Sequence, residues 1–132
     1  MQVERTDVGD RRSEIRNMIK TYTDLEVYTR AQKLYPKVVE FARAFPKDAR
    51  RLQDQLCRSA NSVHANIAEG YGRSSAEFKM YLTRSLGSCN ETRSHITDAV
   101  NANFCDKTTA EFLLREYEAE SKQLFRLRER WK

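Results

Sequence analysis

Apolar residues recur along most of this chain at steps of three and four, the spacing of one helix face. A first stripe follows Asp24, a good N-cap before Leu25. It takes in Val27, Tyr28, Ala31, Leu34, Tyr35, Val38, Val39, Ala42 and Phe45, wide enough to face a core. Pro36 lies inside it. A proline there removes one hydrogen bond and costs ~3 kcal/mol, which predicts a kink or a restarted helix. Phe45-Pro46-Lys47-Asp48 reads as the first turn. The second helix runs to about Gly70 with Leu52, Leu56, Ser59, Ala60, Val63 and Ile67 inward. Gly70 and Gly72 then stop it by taking the left-handed conformation, and Ser74 with Glu77 has the capping-box spacing.

A third helix, from about Ser75 to Asn103, puts Phe78, Leu82, Ser85, Leu86, Cys89, Thr92, Ile96, Ala99 and Val100 on one face. Gly87 and Ser88 cost helix propensity there but allow a neighbour to approach closely. Asn101 to Asp106 makes the last turn. Lys107 to Lys132 forms the last helix, carrying Leu113, Leu114, Tyr117, Leu124, Leu127 and Trp131. Four stripes joined by short turns predict an all-α, antiparallel up-down-up-down four-helix bundle over residues 24–132. Residues 1–23 read as an N-terminal extension. Within it Ile15, Met18, Ile19 and Tyr22 predict an extra short helical segment over Asp10–Tyr22. Five acidic and five basic residues through Asp24 make a dedicated basic arm a poor description.

Beside the apolar stripe of the second helix runs a polar one: Arg58, Ser62, Asn66, Glu69 and Arg73. The third helix has its own, Arg84, Ser88, Glu91 and His95, and an antiparallel pair would turn the two rows toward each other. Polar groups this near a packed face cost on the order of 1–3 kcal/mol each when left without partners. Arg58, Ser62, Asn66, Glu69, Arg73, Ser88 and Glu91 are therefore read as a structural polar network, not a catalytic site.

Composition narrows the picture. The chain has 132 residues, enough for one domain with a real core. A charged fraction of 33% with four Gly and two Pro suits a helical domain better than a sheet or a disordered chain. The net charge of +5 is compatible with a polyanionic partner. Its largest local excess lies on the outer face of the first helix and the turn after it, at Arg30, Lys33, Lys37, Arg43 and Lys47, with Arg50 and Arg51 following. A solvated face is the plainer reading; a phosphate-facing surface is the functional one. A second group, Arg126, Arg128, Arg130 and Lys132, is spread around its helix and ranks lower.

Cys57, Cys89 and Cys105 share no metal-ligand spacing, and their odd number argues against a disulfide framework. Cys57 and Cys89 read as small core fillers. No signal peptide is evident and no apolar run approaches the ~20 residues a membrane span needs, so a cytoplasmic protein without a membrane partner is expected. Glu69, Glu91 and His95 are conceivable metal ligands. However, di-iron bundles use paired Glu-x-x-His motifs, and this chain has two histidines and no such motif. Cys89 with His95, or Cys57 with His64, lacks an orienting third residue. No metal, no cofactor and no enzymatic activity are expected.

The string Asp24 to Tyr28, Phe45-Pro46, Arg58 to Arg73 with its NIAEGYGR core, Phe78 to Leu82, and Gly87-Ser88 with Glu91 resembles a known bacterial family. These are the four-helix-bundle proteins first noticed as reading frames inside intervening sequences of 23S ribosomal RNA genes. The resemblance covers about residues 24–131. It implies an antiparallel bundle that assembles as a homopentamer around a central pore. By architecture alone it extends to the accessory proteins of diversity-generating retroelements, basic pentamers that bind a reverse transcriptase and nucleic acid. His64 and Ala65 depart from the family, where many relatives have Pro and a small residue, and residues 1–23 lie outside its pattern.

Two functions follow. One is a non-enzymatic oligomer that binds RNA or DNA through Arg30, Lys33, Lys37, Arg43, Lys47, Arg50 and Arg51, as accessory to a reverse transcriptase or an RNA-associated complex. The other is a scaffold ring without nucleic acid, using exposed aromatic residues such as Tyr22, Phe104, Phe125 or Trp131.

Overall fold

The computed structural model describes residues 19–132. The helix expected over Asp10–Tyr22, and most of the extension 1–23, lie outside the described residues. Where they overlap, Ile19 and Lys20 carry no regular structure and Tyr22–Asp24 is a single 3-10 turn. Four α-helices follow: α1 (Glu26–Arg43), α2 (Arg50–Gly70), α3 (Ser75–Asn101) and α4 (Lys107–Arg130). No strand occurs among the described residues.

The helices pack around one core in which Val38, Leu56, Val63, Ile67, Leu82, Ile96, Leu113 and Leu124 are fully buried. Each such side chain contributes roughly 1.5–3 kcal/mol through burial. Cross-helix contacts pair rising with falling residue numbers. Ser59, Ser62 and Val63 of α2 meet Thr92, Ser88 and Ser85 of α3, and Glu26 and Arg30 of α1 meet Gln123 and Glu120 of α4. The α2–α3 seam is the most extensive and the α1–α4 seam the least.

Element ends show which local signals the chain obeys. Ser74 and Glu77 form the expected capping box at the start of α3. Asp24 does not cap α1. Its carboxylate accepts from the backbone N–H groups of Lys20 at 2.9 Å and Thr21 at 3.2 Å, closing a box with Thr21 around the 3-10 turn. The side chain is committed one turn earlier, so α1 begins at Leu25 without a side-chain cap. Pro36 sits exposed within α1, which runs through it without restarting. The carbonyl that the proline leaves without a helical donor belongs to Gln32, itself an exposed residue.

The two corner glycines do different work. Gly72 has φ +91°, a left-handed conformation in the turn between α2 and α3. Gly70 does not; it is buried inside the helix, and a Cβ there would overlap Cβ and Cγ of Tyr81. It is a place of close approach between α2 and α3. The helix stops at Tyr71, whose backbone is extended, and Gly72 turns the chain beyond it.

Candidate nucleic-acid interface

The basic residues divide by position. Arg43 closes α1, Lys47 lies in the 3-10 turn Lys47–Ala49, and Arg50 and Arg51 open α2. Beneath this turn Phe45 is buried, with its ring centroid 5.4 Å from that of Phe41 and 6.2 Å from that of Phe104. The apolar anchor turns the charged side chains outward, and all four basic residues are exposed, with Asp48 in the turn, Glu40 one turn before Arg43 and Asp54 one turn after Arg50. The first turn of α2 holds no acidic residue and its N-cap, Ala49, supplies no side-chain bond. Its N–H groups therefore add the positive end of a helix dipole to the same corner.

Lys33 and Lys37 stand further along α1, both exposed, with Lys37 Nζ 5.9 Å from the centroid of the Phe112 ring. Arg30 is set apart. Its Nε lies 3.9 Å from Glu120 Oε1, at the opposite end of the helix from the basic corner.

Glu120 is the residue that sequence reading missed. Its side chain is fully buried and neither carboxyl oxygen has a hydrogen-bond partner among the described residues. Burial pushes its pKa up to about 8, against the opposing pull of Arg30. A separation of 3.9 Å from a side chain 30% exposed does not repay desolvation, so at neutral pH the pair is a carboxylic acid beside a guanidinium. The signal was present: position 120 continues the stripe Leu113, Tyr117, Leu124 at helical steps. Tyr117, one turn away, is also buried with its hydroxyl unpartnered.

Hydroxyl and amide side chains meet along the middle of the α2–α3 seam. Ser88 Oγ donates to Ser62 Oγ at 2.9 Å, and Asn66 Nδ2 donates to the Ser62 carbonyl and hydroxyl, both at 2.9 Å. Below it, Ser85 Oγ donates to the Val63 carbonyl at 2.7 Å, and Thr92 Oγ1 lies 2.9 Å from Ser59 Oγ. Small hydroxyl side chains thus let α2 and α3 approach while satisfying one another. Glu69 and Arg73 form their own exposed pair at 3.5 Å, and Glu91 lies 3.4 Å from His95. Arg73 and Arg84 both stand over the Tyr81 ring, at 5.0 and 4.8 Å. Arg58 is exposed on α2 and does not join the network.

His64 is buried with its ring edge-on to Tyr28 and Tyr35 at 6.1 and 5.5 Å. Burial lowers its pKa, and Asn61 lies 3.3 Å from its Nε2. Cys89 is buried, as a core filler should be, and its thiol is pushed up to about 12 by desolvation and then by Glu120. Cys57 is only half-buried. Among the described residues no group of three His, Cys, Asp or Glu side chains is placed to hold a metal ion. Among them, too, no helix is long and apolar enough to cross a membrane.

Of the aromatic residues offered as exposed contacts, only Phe125 is exposed, at 51%. Tyr22 packs on Tyr28, Phe104 on Phe45, and Trp131 on Phe78 and Tyr71.

Fold and surface together define an all-helical four-helix-bundle protein with a basic corner and a hydroxyl-lined seam. Residues 23–126 match the family model described as 23S rRNA-intervening sequence protein, and the chain belongs to that family. Its fold is similar to that of a protein of unknown function from the S23 ribosomal protein family of Bacteroides thetaiotaomicron VPI-5482, solved at 1.70 Å. The TM-score is 0.69 at 21% identity, over 76% of this chain and 96% of that one. No curated protein matches the chain.

Proposed function

We propose that this chain is a non-enzymatic, homo-oligomeric up-down-up-down bundle that binds RNA or DNA through the corner formed by Arg43, Lys47, Arg50 and Arg51. The observation that carries this reading is the corner itself. Four exposed basic residues converge on one turn and, among the described residues, none is paired with a carboxylate. An uncapped helix N-terminus points the same way. Lys33 and Lys37 extend the surface along α1, whereas Arg30 stands near the other end of that helix, half-buried beside Glu120, and is left out of the set.

Assembly multiplies the field. Five copies of a +5 chain, the ring that the family resemblance implies, carry about +25, enough to hold a phosphate backbone. Such a ring serves as an accessory to an RNA-associated complex or a reverse transcriptase, with the protein partner binding elsewhere on its surface. Fluorescence anisotropy with labelled RNA and DNA tests the corner: Lys47→Glu with Arg50→Glu and Arg51→Glu is expected to weaken binding at least a hundredfold. Binding unchanged by that triple reversal would reject it.

The scaffold reading keeps one support. Met80, Phe112 and Phe125 are the large hydrophobic residues left exposed among those described. A partner protein retained after nuclease treatment, together with absent RNA and DNA binding, would favour it.

A further inference from the structure

The α1–α4 seam is the least extensive of the bundle, and toward the basic corner it opens into a groove. Glu26 meets Gln123, Arg30 meets Glu120 and Lys37 meets Phe112, so the two helices keep one antiparallel register. Continued along α1, that register sets Ala44 level with Cys105, and both line the far end of the groove. Phe41 and Leu113, both buried, form its floor, and the exposed Pro36 and Phe112 stand beside them. Its volume is about 670 Å³, within the range of sites that hold small organic ligands. The chain enters the bundle at the other end, where Tyr71 Oη donates to the Ile19 carbonyl at 3.2 Å.

Three features select the occupant. Phe112 is 38% exposed and offers a ring face, over which the Lys37 ammonium stands at 5.9 Å from the centroid. That distance is the outer limit of a cation–π contact. A long, exposed lysine held so loosely swings onto a phosphate and leaves the ring free for stacking. The polar groups inside the groove are carboxylates: Glu40 is exposed, and Asp106 is held by the Thr109 N–H and hydroxyl at 2.9 and 2.6 Å. They turn phosphate away from the interior but accept the N–H groups along the edge of a base. Cations lie outside instead. Lys33 and Lys37 stand on α1, and Arg43 follows Lys37 by about 9 Å along the helix axis, where the basic corner begins. An apolar peptide in the same place would bury two carboxylates and a lysine without partners.

We infer that the groove takes an unpaired nucleobase, stacked on Phe112, from a strand whose phosphates lie along Lys33, Lys37 and Arg43. Cationic tracks beside an aromatic face are how proteins hold single strands without reading their sequence. The inference rests on the nucleic-acid reading and deepens it. The preferred ligand is single-stranded, because in a duplex the bases stack on one another and none is offered to a side chain.

Fluorescence anisotropy on the full chain tests the groove with a short unstructured strand, RNA or DNA, and with the duplex of the same sequence. Phe112→Ala is expected to bind either strand about tenfold more weakly and the duplex as the wild type does. Phe112→Leu, apolar but without a π face, is expected to lose as much, and Phe112→Trp to bind at least as tightly as the wild type. The salt dependence of strand binding is expected to stay the same in all three, because stacking releases no counterions. Strand affinity untouched by Phe112→Ala, an equal loss on the duplex, or a leucine variant as tight as the wild type overturns the stacked base. The corner fails separately. If Lys47→Glu with Arg50→Glu and Arg51→Glu leaves strand binding intact while Phe112→Ala weakens it, the groove stands and the corner does not. A wild type that binds neither strand nor duplex overturns both.

Discussion

Glu120 makes the stability of this bundle depend on pH in an unusual direction. Its carboxyl ionises near 4.5 in an ordinary setting and near 8 when buried between α1 and α4. Below pH 4.5 both folded and unfolded chains hold the proton, and the fold pays nothing. Between 4.5 and 8 only the folded chain holds it, so stability falls as pH rises, by about 1.4 kcal/mol per unit. Across the window the loss is about 5 kcal/mol, an upper figure, because a seam that admits water recovers part of it. Glu120→Gln is neutral throughout and escapes this term. Urea unfolding of both proteins at pH 5, 7 and 8.5 is the assay, with the difference between them as the readout, since other titrating groups cancel. The advantage of the glutamine variant is expected to grow by several kcal/mol from pH 5 to 8.5. A difference that stays constant within about 0.5 kcal/mol would refute the reasoning, because burial would then not govern the carboxyl.

Other expectations follow from the helix ends and the seam. Gly70→Ala drives a methyl into Tyr81 and is expected to cost about 1–3 kcal/mol in urea unfolding, whereas a helix-propensity argument alone would forecast a gain. Ser74→Ala removes half of the capping box and is expected to cost about 1 kcal/mol, read as a lowered melting temperature. The Cys89 thiol, buried and pushed up to about 12, is expected to resist a thiol reagent at pH 8 until the chain is unfolded by denaturant. Labelling of Cys89 at native conditions at the rate of an exposed thiol would contradict its place in the core.

The sequence was legible where one helix could be read by itself. The stripes through Val38, Val63, Leu82 and Leu113 are buried because helical spacing assigns a face without reference to neighbours. Ser74 with Glu77 is likewise local. What escaped depends on a second element. Arg30 looks like any outward cation until α4 sets Glu120 opposite it, and Glu120 was passed over because a charge was not sought on an apolar stripe. Gly70 carries the spelling of a helix stop, but its constraint comes from Tyr81 on α3. His64 is held between Tyr28 and Tyr35, contacts that no spacing within α2 can reveal. Trp131 and Phe104 are packed and not offered to partners, because the helix ends fold back on Phe78 and Phe45. The basic corner was partly readable, since Arg43, Lys47, Arg50 and Arg51 lie close in the chain and face outward together at one turn.

The salt dependence of nucleic-acid affinity is the most direct test of that corner. Wild type and the variant with alanine at Lys47, Arg50 and Arg51 are titrated with RNA and DNA from low to physiological salt. Backbone contact requires the logarithm of affinity to fall linearly with the logarithm of salt, and the triple variant is expected to flatten that slope by about three contacts per copy engaged. An affinity indifferent to salt, or a slope identical in wild type and variant, would contradict a phosphate-binding role for this corner.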